Sequence, residues 1–233
     1  MGAAMCEVLT KKVTLDPSVL AAIKGKQIIL LSAINLQNGE DIDKSVTEAK
    51  GICSGLEVAA FPEGVRRKEV FMSYTGPAFD FWKPILDPIS TKVVCQSERV
   101  VDKVYTEFIH VLGSFSAMLA HWKELAVLTC LGLSIEPSLT IFSENKDLGP
   151  PYMEFWIDKI RNRNYDQVAY PINDCIEEFE PDAEFAENLG FGAAYEELMR
   201  LCKRAKQMGY GEKDHTAMFE AMLEETRAAM KTG

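Results

Sequence analysis

Over residues 98–132, apolar side chains recur every three or four positions, at Val104, Phe108, Val111, Phe115, Met118, Trp122 and Leu125. That period is helical, and Leu112, Leu119, Ala126 and Leu128 widen the stripe to most of the circumference. The pattern predicts one long, largely buried helix, well beyond the usual ~10–14 residues. Polar residues interrupt it on one flank. Glu107, His110, Ser114 and His121 are offset so that they share a side of the rod.

Before this stretch the pattern is different. Residues 27–32 form a continuous apolar run of strand length, as expected of a buried parallel strand. Residues 56–61, 70–76 and 91–95 read as further strands, rich in β-branched and aromatic side chains. Helical segments at 10–25, 38–51 and 79–89 lie between them, the first with Asp16 as N-cap and Pro17 at N1. After residue 95 only helical periods follow: 136–144, 153–161, 172–189, 193–208 and 214–230, with Gly190, Gly209 and Gly211 as punctuation. The expected fold is an α/β part of about four strands over residues 1–97, then an all-α domain over 98–233 built on the long helix.

Composition removes several function classes. With 25 basic and 35 acidic residues the net charge is −10, which disfavours binding to nucleic acid or to an anionic membrane surface. No apolar run reaches the roughly 20 residues of a membrane span, and the first residues have no signal-peptide pattern. The six cysteines are dispersed without metal-site spacing, so reduced thiols in a cytoplasmic protein are expected.

Several passages, in order, resemble the β-hydroxyacid dehydrogenases, the 3-hydroxyisobutyrate and 6-phosphogluconate dehydrogenase-like group. IKGKQIILLSAIN is similar to the end of that family's nucleotide domain, where Ser32 matches the Ser of a Ser-Thr substrate loop and Ala33 replaces the Thr. YTGPAFDFWKPILDPISTKVV is similar to its Gly-Gly, helix and strand passage. WKELAVLTCLGLSIEPSLTIFS resembles its Glu-Ala-rich helix end and Gly-Leu-Asp-Pro turn, and MGYGEKDHTAMFEAM its Gly-Tyr-Gly, Asp-x-Ser-Ala close. The resemblance implies a remnant of a Rossmann-type domain and a homodimer through the helical domain.

The chain departs from the family at its chemistry. No GxGxxG turn occurs, so the glycines that let backbone approach a pyrophosphate are absent from the sequence. Counting back from Glu124, the family's catalytic Lys and the Asn four residues on fall at Phe108 and Leu112. Its Lys-Asp-Leu element falls at Glu177, Glu178 and Phe179, and its Ser-Gly-Gly loop at Pro62, Glu63 and Gly64. These losses point away from the parental hydride transfer and from a bound cofactor.

His110 and Ser114 reproduce the i, i+4 relation of the family's Lys and Asn, displaced by two residues. A histidine near a carboxylate on an apolar wall suits general acid–base work. The expected catalytic set is thus His110, Glu107, Ser114 and His121. Ser32, Tyr74, Phe108, Phe115 and Trp122 are expected to line a pocket for a small carbonyl substrate. His215 is expected at the surface, beside Asp214 as a helix N-cap. The reading that follows is a cofactor-independent isomerase, cyclase or lyase. The alternatives are an NAD(P)-dependent oxidoreductase and a non-catalytic ligand-binding or scaffold protein.

Overall fold

The structure is a computed structural model, and it describes residues 5–7, 16–31, 36–59, 69–144 and 153–232. The chain divides into two compact units, Met1–Ile109 and His110–Gly233.

The first unit is built on a five-stranded sheet in the order β1-β2-β3-β4-β5. The strands are β1 (Met5–Glu7), β2 (Gln27–Leu30), β3 (Ile52–Ala59), β4 (Phe71–Thr75) and β5 (Lys92–Ser97). All neighbours pair in parallel except β3 with β4, which are antiparallel. The sequence predicts about four strands. The fifth, β1, is too short to carry a period. Helices α1 (Pro17–Ala22), α2 (Leu36–Glu48) and α3 (Phe79–Leu86) connect the strands. Asp16 caps α1 as expected, its carboxylate accepting from the Ser18 N–H at 2.8 Å.

Strand alternation gives the sheet two different faces. One carries Ile29, Leu56, Met72, Tyr74 and Val93, sealed by Trp82 and Leu86 of α3. The other carries Ile28, Leu30 and Cys53, sealed by Ile23, Val100, and Ile42 and Val46 of α2. Farther along this second face the register sets Gly55 opposite Thr75 and Glu57 opposite Ser73. Strand β3 starts four residues before the expected position because Gly55, a poor strand former, lies inside it.

The predicted long helix is α4 (Asp102–Cys130), 29 residues that begin in the first unit and continue into the second. The second unit adds α5 (Glu136–Glu144), α6 (Met153–Asn162), α7 (Ile172–Phe179), α8 (Ala183–Asn188), α9 (Gly192–Ala205) and α10 (Met218–Thr232). The helix expected over 172–189 is divided into α7 and α8 by a 3₁₀ turn, Glu180–Asp182. Pro181 accounts for the break, since it has no N–H to continue the α ladder. Trp122, Leu125, Leu139, Trp156, Leu198 and Phe219 form the centre of this unit and are essentially inaccessible.

One carboxylate ties the unit together. Asp214 is fully buried; its Oδ2 accepts from Lys159 Nζ and from the Ala169 N–H, each at 2.8 Å. Its Oδ1 accepts from the Thr216 hydroxyl at 2.6 Å and the Thr216 N–H at 3.1 Å. Helix α6, the segment before α7 and the start of α10 therefore meet on a single side chain. Asp214→Ala strands the Lys159 ammonium and several N–H donors, and is expected to cost about 3–5 kcal/mol. Urea unfolding followed by circular dichroism measures this. A loss below about 1 kcal/mol would remove Asp214 from this role.

Candidate functional site

The long helix opens on an anomaly. Lys103 lies in its first turn and has no accessible surface. A cation is unfavourable near a helix N-terminus, and burying one costs several kcal/mol more. Lys103 stands three residues after Val100 and one before Val104, on the stripe that faces the core. Its ammonium is paired with Glu107, one turn on, whose side chain is 19% exposed.

The sheet is shaped to receive this side chain. A Cβ built on Gly55 would lie 2.7 Å from Thr75 Oγ1 and 2.8 Å from both Cβ and Cδ of Lys103. Only a bare α-carbon lets the lysine stem lie against β3. Thr75 Oγ1 in turn donates to the Val100 carbonyl at 3.3 Å, fixing the chain that leads into α4. Glu57, two residues beyond Gly55 on the same face, is buried. Opposite it, the buried Ser73 hydroxyl has no hydrogen-bond partner among the described residues. Phe71 and Val94, on the same face, are 55% and 41% exposed. Half of this face is thus an apolar core and half a polar array of Gly55, Glu57, Ser73, Thr75 and Lys103, edged by two exposed apolar residues.

Of the residues expected to act, Glu107 belongs to this array. His110 is exposed and Ser114 half-buried on α4. Phe108 is buried. Tyr74 lies on the opposite face of the sheet, where its hydroxyl donates to Ser54 Oγ at 2.5 Å. Ser32 lies outside the described residues. In the second unit His121 packs edge-on against Phe142 with ring centroids 4.6 Å apart. Phe115 packs against Phe179 and Trp122 against Trp156, both edge-on.

His215 is the clear correction. Expected at the surface, it is 4% exposed, with its ring among Phe115, Trp122 and Tyr170. Its backbone N–H donates to the Tyr170 carbonyl at 2.8 Å, and Nδ1 lies 3.5 Å from Asp214 Oδ1. The polar stretch around it hides its burial, since Asp214 folds the chain inward there. Burial pushes the imidazole below its ordinary value, Asp214 opposes that, and nearby Lys159 adds to it. Burial alone would raise Asp214, but His215, Lys159, Thr216 and the Ala169 N–H hold it below the usual carboxylate range. Lys103, Glu57 and the Ser73 hydroxyl are likewise buried where the sequence alone predicts no site. The available signal was a lysine on an apolar stripe together with polar residues at alternate strand positions.

No family model and no curated protein matches the chain. Solved structures do match it. Against 3-hydroxyisobutyrate dehydrogenase from Salmonella typhimurium the TM-score is 0.78 at 16% identity, covering 94% of this chain and 78% of that one. Psf3 in complex with NADP+ and 2-OPP gives 0.75 at 14% identity, covering 94% and 79%. An imine reductase from Myxococcus stipitatus in complex with NADP+ gives 0.55 at 11% identity, covering 93% and 78%. At these identities the likeness is one of fold: a dehydrogenase-like α/β part followed by a helical domain on a long helix.

Two of those structures hold NADP+. In this chain the segments that follow β1, β2 and β3 (residues 8–16, 31–35 and 60–69) contain a single glycine, Gly64. A pyrophosphate cradle at a helix N-terminus needs several glycines for close backbone approach. The sequence of these segments offers no such cluster of glycines. Among the described residues no cluster of His, Cys, Asp or Glu could hold a metal ion, and no helix is long and apolar enough to cross a membrane.

The His215 environment predicts a pH dependence. Its folded pKa is lowered, so below about 6.5 the unfolded chain binds the proton more readily and stability falls as pH drops. Asp182, pushed up to about 6 by burial and by Glu178, acts with the opposite sign. Comparison of wild type with His215→Phe cancels that shared contribution. Between pH 7 and pH 5 the wild-type urea midpoint is expected to fall relative to the variant's. Parallel curves would contradict the assignment.

Proposed function

We propose that this chain is an acid–base enzyme for a small carbonyl or imine compound, working on the sheet face that carries Lys103. The observation that supports it is the fully buried lysine at the start of α4, held by Glu107 over the sheet face that also carries Glu57 and a buried Ser73 hydroxyl with no hydrogen-bond partner among the described residues. A structural ion pair alone gives no reason to bury a cation at a helix N-terminus, since apolar residues of similar volume are often at least as stable there.

The chemistry is a proton relay at a polarised double bond. When the partly exposed Glu107 side chain swings aside and admits the substrate, Lys103 donates to the carbonyl oxygen or imine nitrogen, while Glu57 takes the proton from the adjacent carbon. One C–H bond breaks and one O–H or N–H bond forms, giving the enol or enamine; return of a proton to the opposite face of that carbon, with the O–H or N–H proton going back to Lys103, completes an epimerisation. Glu107 orients the lysine, Ser73 hydrogen-bonds the substrate, and Phe71 and Val94 receive its apolar part. His110, exposed on the same helix, is the competing candidate for the base, with Ser114 beside it on that face. His121, Phe115 and Trp122 receive no step.

The test is solvent deuterium incorporation into small ketones, keto acids and cyclic imines in D₂O, followed by proton NMR. Lys103→Met is expected to lower the rate by at least ~100-fold, with Lys103→Arg giving only partial recovery. Exchange that survives Lys103→Met but is lost in His110→Ala would move the chemistry to His110.

A second reading, an NAD(P)-linked oxidoreductase, is favoured by the likeness of fold to a dehydrogenase and to imine reductases. Such a reaction also needs a proton donor, and Lys103 would serve. Titration with NADPH while following Trp82 and Trp122 fluorescence separates the two. Saturable quenching at micromolar cofactor supports the oxidoreductase, and an unchanged spectrum supports the cofactor-independent enzyme.

We also propose a homodimer through the second unit, where Leu131, Leu133 and Ile141 are each more than half exposed. Light scattering is expected to give twice the 26.0 kDa chain mass, reverting to the monomer mass in Leu131→Lys/Leu133→Lys. A monomeric wild type would overturn it.

A further inference from the structure

Helices α7 and α9 of the second unit bury their apolar stripes against each other, and a cysteine stands on each stripe. Cys175 belongs to the row Ile172, Cys175, Ile176 and Phe179, and Cys202 to the row Leu198, Met199, Cys202 and Ala205. Both are fully buried, and their sulfur atoms lie 3.4 Å apart. Met218 Sδ, at the first position of α10, lies 3.3 Å from Cys202 Sγ. The remaining described thiols are elsewhere: Cys53 is in the first unit's core, Cys95 is exposed, and Cys130 donates to the Leu223 carbonyl.

We propose that Cys175 and Cys202 are a modification site, closing on oxidation into a disulfide that cross-links α7 to α9. As space fillers, two small apolar side chains would serve equally well. Two thiols in direct contact across a helix pair have a further chemistry. A disulfide bond is about 2.05 Å long, so the sulfurs need to close by only ~1.4 Å, within reach of small side-chain rotations. The two S–H bonds break and one S–S bond forms. Two electrons and two protons pass to a small-molecule disulfide, which is cleaved to two thiols.

The surroundings set the rate of this step. The contact with Cys202, and burial after it, raise the Cys175 thiol well above its ordinary value, so little thiolate forms in the closed core. Attack therefore proceeds when α7 opens locally, and the finished bond is shielded from reductants by the same packing. Cross-linking positions 27 residues apart also restricts the unfolded chain, so the oxidised second unit is the more stable form. This site is independent of the reading given to Lys103.

The experiment uses the full chain incubated with glutathione disulfide, alkylated without reduction, and digested with trypsin. Peptide 201–203, which contains Cys202, is expected to be joined to peptide 164–200, which contains Cys175, at a mass lower by two hydrogens. The urea midpoint of the oxidised protein is expected to rise and to return on reduction. Cys175→Ala and Cys202→Ala should each abolish the link, and the mass result on wild type stands even if one of them folds poorly. Separate alkylation of both cysteines after oxidation and unfolding would overturn the proposal. So would cross-links to Cys95, or Met218 sulfoxide in place of the link.

Discussion

The buried ammonium of Lys103 sets the layout of the polar half of one sheet face in the first unit. Its stem crosses β3 where only Gly55 permits it, which explains why a glycine sits in the middle of a buried strand. Its charge is answered by Glu107 from the next turn of α4, and the chain leading into that turn is anchored by Thr75. The path of α4 off the sheet, the identity of residue 55 and the polar half of one sheet face are thus consequences of one buried cation. With a leucine there, that face would be an ordinary core, and Glu57 and Ser73 would have no reason to lie on it.

The second unit is organised by the same physics with the sign reversed. There the buried charge is the Asp214 carboxylate, satisfied by a lysine, a hydroxyl and two backbone N–H donors drawn from separate elements. The two sites differ in how their central charge is met and in what lies at their edge. Asp214 accepts at both oxygens from four donors, as expected of a structural tie. Among the described residues each site leaves one buried polar atom without a hydrogen-bond partner, Ser73 Oγ in the Lys103 array and His215 Nδ1 beside Asp214, and the Lys103 array is in addition edged by the exposed apolar residues Phe71 and Val94. That difference is the reason for assigning chemistry to the first and architecture to the second.

The long helix, the strand–helix alternation and the Asp16 cap were legible in the sequence because each rests on a local rule of spacing or capping. What escaped depended on contacts distant in sequence. Gly55 moved the start of β3 because its reason for existing, Lys103, is 48 positions away. His215 sits in a polar stretch and reads as surface; only the bonds that Asp214 makes to Lys159 and Ala169 carry it inward. The polar flank of α4 was visible, but its burial was not. Periodicity placed Glu107, His110 and Ser114 on one side without showing that Glu107 answers a hidden lysine while His110 faces water. Likewise the family resemblance put the missing catalytic lysine at Phe108, and counting along one helix gave no reason to look at Lys103.

The fold is shared with a dehydrogenase and with imine reductases, while the chemistry proposed for this chain rests on the buried lysine. A double-mutant cycle tests whether Lys103 is there for chemistry or for structure. Replacing Lys103 by Met and Glu107 by Leu together removes both charges while keeping the volume apolar, so the stability lost in either single variant should be largely restored. The restored, folded double variant is expected still to fail to exchange substrate protons with solvent. A double variant that recovers stability and exchanges at the wild-type rate would show the pair to be structural and would contradict the assignment.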